Sequence, residues 1–502
     1  MLRLTWVQPE DLLGHELRQA RQDGREPAAI AARWRAAGGS QAPERAGASG
    51  EQASRYLRLL AEDLLDELAD LPSSLKDDEP TDLEKIRSLC PNWPKSAQPC
   101  RQPAGSRGAG AMGVPPLERS QEWGRVGAGG PPSGGGTPQA RVSVPTSTAP
   151  PTPAQLEAAW LGRAVGCLLG KPVEKLPLQG IRQLAESTGN WPLNTWFTAR
   201  GVPQDLLAAH PWNRRSATTS LAENIDGMPE DDDLNYPLLN LLLLQRHGRT
   251  FTTTDVARLW LDELPAGRVF TAERIAYRNL LSGIEPPHTA RHRNPFREWI
   301  GALIRADVHG WTNPGNPAAA AEQAHRDATL THTANGVYAA MFTAAAIATA
   351  ATGTYDVHTC LRTGLTVVPP GSRLARAVRH AIELARAHDD FDDVVDELHA
   401  LHADTHHWVH AVPNTALIAA ALTHADGDFT GSICRAVSGG WDTDSNGATA
   451  GSIAALLAGT PTALPDRWTT PLKNRLATSV GDFDGIAFDA LAHLTHVEAS
   501  RP

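Results

Sequence analysis

Apolar residues recur along this chain with a period close to that of an α-helix and seldom alternate, the pattern of helices that each bury one face. The clearest early case is 52–71, where Leu57, Leu60, Leu64, Leu68 and Leu71 share one side and acids and arginine occupy the other, until Pro72 ends it. Leu12, Leu13 and Leu17 open a shorter pattern before it. From Ala154 the texture becomes denser. Alanine- and leucine-rich runs at 155–169, 234–245, 256–264, 335–351, 372–387, 415–423, 448–458 and 485–497 are separated by Pro, Gly and Asn. The expected architecture is all-α: one large compact helical domain over 154–502, of about 350 residues, preceded by a small helical module over 1–90.

Between the two, 91–153 is rich in Gly, Pro, Ser and Thr and nearly free of periodic apolar positions. Such a segment buries too little surface to offset its ordering entropy, so a disordered linker is expected. On that reading the linker isolates the module, which would dock an unknown partner, and deletion of 1–150 leaves the chemistry of the large domain unchanged. Cys90 and Cys100 bracket the start of the linker without the neighbouring His or Cys that a zinc site needs.

Composition narrows the classes further. A net charge of −10 does not favour a polyanion, so no nucleic-acid partner is expected. Five cysteines in so long a chain argue against a disulfide scaffold and for a reducing compartment. No apolar run reaches membrane-spanning length, Leu238–Leu244 being far too short, and the first residues lack the apolar core of a signal peptide. A cytoplasmic location without a membrane partner is expected.

The densest chemistry lies in Gly439–Gly451, which reads GGWDTDSNGATAG. Asp442, Asp444 and Ser445 offer hard oxygen ligands, which suit Mg²⁺, Mn²⁺ or Ca²⁺ rather than zinc or copper. The first half of an EF-hand loop fits here as well. Its twelfth position is Ile453, where the motif needs a bidentate Glu. An Asp-rich surface turn is the plain alternative. A second acidic run, Glu230-Asp231-Asp232-Asp233, directly precedes an apolar helix. One acid is enough to cap a helix, and four repel one another unless a cation neutralises them. Together the two runs would complete an oxygen-only site for one or two divalent ions.

Three further stretches bear on function. Gly162, Gly166 and Gly170 stand four residues apart on one helix face, where a helix or a ligand can approach the backbone, and Glu174 follows the break at Pro172. The acids at 389–393 have no glycine or hydroxyl beside them and read as a solvated loop and helix cap. His402, His406, His407 and His410 match no zinc spacing and read as a polar loop.

Taken in order, these blocks resemble the ADP-ribosylglycohydrolases, a family that includes the dinitrogenase reductase-activating glycohydrolases. The stretch GRAVGCLLGKPVE resembles the family's first helix with its Gly-x-Pro-x-Glu ending, Glu230–Asp233 stands where the Thr-Asp-Asp ligands fall, and the 439–459 stretch resembles the Asp-x-Asp-[Thr/Ser] block. The resemblance spans about 155–500. It implies a binuclear Mg²⁺ (or Mn²⁺) site with Asp231, Asp232, Asp233, Asp442, Asp444 and Ser445 as ligands, and Glu174 as a mobile acid near the scissile bond. No Thr precedes the Asp pair, so the registers 230–232 and 231–233 both stand. Asp232 is common to both and is the second catalytic candidate. Cys167 replaces an Asp common among relatives. His332, Asn335, Gly336, Tyr338, Gly440 and Trp441 are the implied substrate-binding groups, with core packing the alternative for Tyr338 and Trp441.

The implied activity is removal of ADP-ribose from a modified acceptor, or from a small ADP-ribose-containing molecule, by cleavage of the ribosyl N- or O-glycosidic bond. The alternative is a catalytically silent module that binds ADP-ribose or a related nucleotide. The chemistry is coherent on its own terms: cleavage at a ribose passes through an oxocarbenium-like state, and metals with carboxylates can orient hydroxyls, water and protons around it.

Overall fold

The computed structural model describes residues 7–42, 52–95 and 149–501; most of the expected linker, 96–148, lies outside the described residues. Among the described residues there is no strand, only isolated bridges such as Met228 with Leu476. Each of the eight runs expected from Ala154 onward falls on a helix, the last of which begins only at Phe488, and the two that position the site are Pro153–Gly170 and Thr443–Ala458. No helix among the described residues is long and apolar enough to cross a membrane.

Pro153–Gly170 starts where Thr152 accepts the Gln155 N–H at 3.2 Å while the Gln155 side chain reaches back to the Thr152 N–H at 2.9 Å. Pro153 at the first helical position removes a donor that would have had no partner. Thr443–Ala458 runs antiparallel against this helix, and the glycine spacing explains how. A Cβ on Gly162, Gly166 or Gly170 would overlap the backbone at Gly451, Gly447 and Thr443 respectively, and the reverse holds for Gly447 and Gly451. Only glycine permits this approach. Of the two expected visitors to that face, a helix or a ligand, the helix is what the structure contains. The Thr443 hydroxyl donates to the Gly170 carbonyl at 2.8 Å and fixes the register at one end. As a result, the end of one helix and the start of the other meet, and the residues beyond them converge.

Behind this pair lies Ala334–Ala350, buried along its whole length, as a helix without a polar face must be. Ala411–His424 is buried nearly throughout and packs against Arg373–Ala387 and the helix Phe429–Ser438.

The N-terminal residues form four helices, Pro9–Gln22, Ala28–Ala36, Arg55–Asp70 and Leu83–Leu89. The leucine face expected at 52–71 is the buried face of the third. The module is not isolated, however. Arg297 pairs with Glu16 at 2.7 Å and Asp23 at 2.6 Å, and His15 packs edge-on to Phe296, Trp299 and His407. Glu79 accepts from Arg373 at 2.6 Å and from Asn335 at 2.8 Å. Tyr338 donates its hydroxyl to the Pro80 carbonyl. The expectation of a tethered, independent module is corrected: its side chains pair and pack with those of the large domain. The linker's composition governs its own ordering and says nothing about where its far end packs.

Candidate metal and catalytic centre

Two triads of ligand atoms gather where the glycine-packed helices end. Glu174, Asp442 and Asp444 form one, and Cys167, Asp231 and Asp233 the other, each with its atoms within 4.8 Å of one another. Asp442, Asp444 and Ser445 are buried, whereas Asp231, Asp232 and Glu174 are partly open to solvent. The Ser445 hydroxyl donates to Asp233 at 3.4 Å and joins the triads.

Local backbone explains each position. Gly440 and Trp441 both have positive φ, +80° and +58°, which turns the chain sharply before Asp442. The Trp441 ring lies on His399, centroids 4.2 Å apart and planes within 12°, and His399 contacts the Gly439 carbonyl at 2.8 Å. The Asn414 carbonyl oxygen accepts from the Asp442 N–H at 3.2 Å and the Asn446 amide at 2.7 Å, which holds the turn from below. On the other side Asp231 caps Asp232–His247 by accepting the Asp233 N–H at 2.9 Å.

Three cations stand among these acids. Lys171 pairs with Asp231, and both are largely buried. Arg163, fully buried, reaches Asp233 at 3.2 Å and Asp307 at 2.9 Å. Lys175 pairs with Glu174 at 2.6 Å, and the Asn213 amide donates to the other oxygen of Glu174 at 2.7 Å. Glu230 turns away, to Arg268 at 2.9 Å and Asn235 at 3.3 Å. Asp231 and Asp233 enter the second triad, and Glu230 does not.

The electrostatics are those of a crowded anionic pocket. Burial, reinforced by Glu174 and Asp231, pushes Asp444 up to about 7. Burial followed by Asp444 and Glu174 raises Asp442, and burial followed by Asp231 and Asp233 raises Asp232. Burial alone would also raise Asp231, but the Lys171 ammonium outweighs it and holds that carboxyl below its usual range. Burial raises the Cys167 thiol, which stays protonated. Carboxylates this close retain protons unless a cation takes their place, so the donor set fits a hard divalent ion at Glu174, Asp442 and Asp444.

The expected substrate groups lie in two places. Gly440 and Trp441 border the acids, but His332, Asn335, Gly336 and Tyr338 do not line an open cleft. All but Gly336 are fully buried as side chains. His332 contacts the Thr331 hydroxyl at 2.6 Å, Asn335 bridges Glu79 and the Leu374 N–H, and Gly336 packs against the Arg297 carbonyl. The Asn335 amide and the Tyr338 hydroxyl serve the seam with the N-terminal module, whereas His332 and Gly336 pack within the large domain. A helix face that packs under another segment of the same chain reads the same in sequence as one that lines a ligand cleft. The histidine stretch is also more buried than a polar loop: His407 and His410 are inside, and His402 meets the edge of Trp441 at 6.3 Å. The acids at 389–393 behave as expected, with Asp390 capping Phe391–His402. Sequence reasoning missed Lys171, Arg163, Asn213 and Asn414. Lys171 alone left a signal, a cation inside the Gly-x-Pro-x-Glu element.

Fold and site together describe an all-α domain organised around a buried carboxylate cluster. A family model described as ADP-ribosylglycohydrolase matches residues 150–500, and the chain belongs to that family, whose members are glycosidic-bond hydrolases. Among solved structures it is similar to one described as "ADP-ribosylglycohydrolase-related protein complex", at 21% identity over 69% of this chain and 98% of that one, with a TM-score of 0.43. No curated protein matches the chain.

Proposed function

We propose that this hydrolase removes ADP-ribose from a modified acceptor in a reaction that depends on a divalent cation, Mg²⁺ or Mn²⁺. The observation that carries the reading is the convergence of Glu174, Asp442 and Asp444 beside a second acidic triad at the junction of two glycine-packed helices. Glu174, Asp442 and Asp444 would hold a divalent ion, which would supply Lewis-acid polarisation of a water and of the ribose hydroxyls.

The chain's own residues do the rest. Asp442, Asp444 and Ser445 fix the position at which the ribose hydroxyls enter, because their helix start is locked against Gly170. Asp231 and Asp233 are committed to Lys171 and Arg163, whereas Asp232 is partly exposed and forms no salt bridge among the described residues. Asp232 is thus the acid best placed to exchange a proton with the water or the leaving group. Glu174, held by Asn213 and Lys175 beyond the Pro172 break, stands on the rim, where an incoming acceptor passes. Trp441, braced by His399, offers a ring face next to the ligands for a base or a ribose.

Calorimetric titration of ADP-ribose with Mg²⁺ and after chelation tests the reading, followed by turnover on arginine- and serine-linked ADP-ribose. Binding is expected only with the metal. Asp444→Ala is expected to retain the fold by circular dichroism and to lose turnover by about 100-fold or more. Full activity in that variant sinks the site assignment. Metal-dependent binding without turnover of any linkage supports the silent binding module instead.

A further inference from the structure

The two triads are not electrically equivalent. Glu174, Asp442 and Asp444 contribute three carboxylates, and the one cation paired with them among the described residues, Lys175, is itself solvent-exposed. Cys167, Asp231 and Asp233 contribute two carboxylates and a buried thiol. That pair already holds two buried cations, Lys171 on Asp231 and Arg163 on Asp233, the latter shared with Asp307. A soft sulfur is also a poor donor for Mg²⁺ or Mn²⁺, which select hard oxygens.

Lys171 is anchored in place. It is the residue that directly follows Pro153–Gly170, its N–H donates to the Cys167 carbonyl at 3.1 Å, and its carbonyl accepts the Ser216 hydroxyl at 2.8 Å. From there the side chain reaches Asp231, and only a tenth of it is exposed. The ammonium therefore lies where a second divalent ion would share Asp231, and a buried like charge at that distance is screened little by water.

The geometry points to Lys171 as a built-in cation that fills one half of the centre, so that the protein takes a single divalent ion, at Glu174, Asp442 and Asp444, rather than a pair. This inference rests on the metal-dependent reading above and fixes its stoichiometry. It also assigns the Asp231 side of the centre a structural charge balance in place of a second Lewis acid. Lys171 is here a positioning residue: it holds Asp231 and leaves the neighbouring Asp232 without a salt bridge among the described residues.

The test is the number of Mn²⁺ ions bound by the full chain after chelation, by calorimetry, with the electron paramagnetic resonance spectrum of the bound ion as second readout. The wild type is expected to bind one ion per chain with the six-line spectrum of an isolated Mn²⁺. Lys171→Met is expected to bind two, with the multiline spectrum of a coupled pair, while Lys171→Arg stays at one. Circular dichroism checks that each variant is folded, and Lys171→Gln replaces the methionine variant if that one is not. Two ions in the wild type overturn the inference, and so does a single ion in a folded neutral variant. No ion in the folded wild type instead removes the metal-dependent reading itself, a result distinct from the other two.

Discussion

Trp441 has a backbone conformation that a bulky side chain adopts at a penalty of about 1–2 kcal/mol. The stack on His399 and the Asn414 contacts beneath the turn offset that penalty. The strain has a purpose, since it aims Asp442 and Asp444 at the opposite acids. At this scale the acids were legible in the sequence, because four adjacent carboxylates are hard to explain without a cation. Asn414 was not, because a lone Asn in an alanine-rich helix carries no signal until the fold brings Asp442 to it. The proton-handling role of Asp232 belongs to this scale. Asp232→Asn is expected to lower kcat by roughly 10²–10⁴ while changing ADP-ribose affinity only a few-fold. Equal loss in both quantities would mark Asp232 as a binding residue, and unchanged kcat would remove its role.

The element that organises the centre is the contact between Pro153–Gly170 and Thr443–Ala458. Period-four glycines announced a close approach in the sequence, yet they could not say whether a helix or a ligand would make it. The answer depends on complementary glycines nearly 300 residues away, and no local pattern relates Gly166 to Gly447. A methyl at position 166 would overlap backbone rather than a side chain that can rotate, so the helices must separate. Gly166→Ala is expected to destabilise the protein by about 1–3 kcal/mol and to weaken Mn²⁺ binding, because Asp442 and Asp444 move with their helix. Urea unfolding and ion titration measure the two effects. Lost stability with unchanged ion affinity would show that the acids are held independently of the helix contact.

Across the whole molecule, the seam with the N-terminal module is the part that sequence reasoning drew least well. Glu79 balances Arg373 inside that seam, and Glu298 only partly replaces it, 2.9 Å from the same guanidinium. Glu79→Ala is expected to destabilise the chain by about 3 kcal/mol, since a buried cation and the Asn335 amide lose their shared partner. A urea midpoint equal to that of the wild type would mean that the module does not rest on the domain in solution. Deletion of 1–150, expected from the sequence to leave the chemistry unchanged, is expected from these contacts to lower stability for the same reason.

The seam and its surroundings also hold histidines that burial keeps neutral. His15 is pushed down to about 3, His402 to about 4 and His406 to about 2. The unfolded chain takes up protons near the ordinary value of 6.5 and the folded chain does not, so stability is lost as pH falls below that point. Each group contributes about 2 kcal/mol between pH 7 and pH 5. The melting temperature of the full chain should therefore drop over that interval, and less so in His406→Asn. An unchanged melting temperature would place these rings in water.

The sequence by itself determined the helices, the all-α class and the acids of the centre. These follow from periodicity, from the caps and breakers at helix ends, and from the repulsion of clustered carboxylates, all of which act between near neighbours in the chain. Only the tertiary structure decided which face of the 334–350 helix meets the N-terminal segment, which acids pair with Lys171 and Arg163, and which converge with Glu174. Those outcomes depend on groups brought together from distant positions, where burial sets the strength of each charge and the chain order carries no record of the contact.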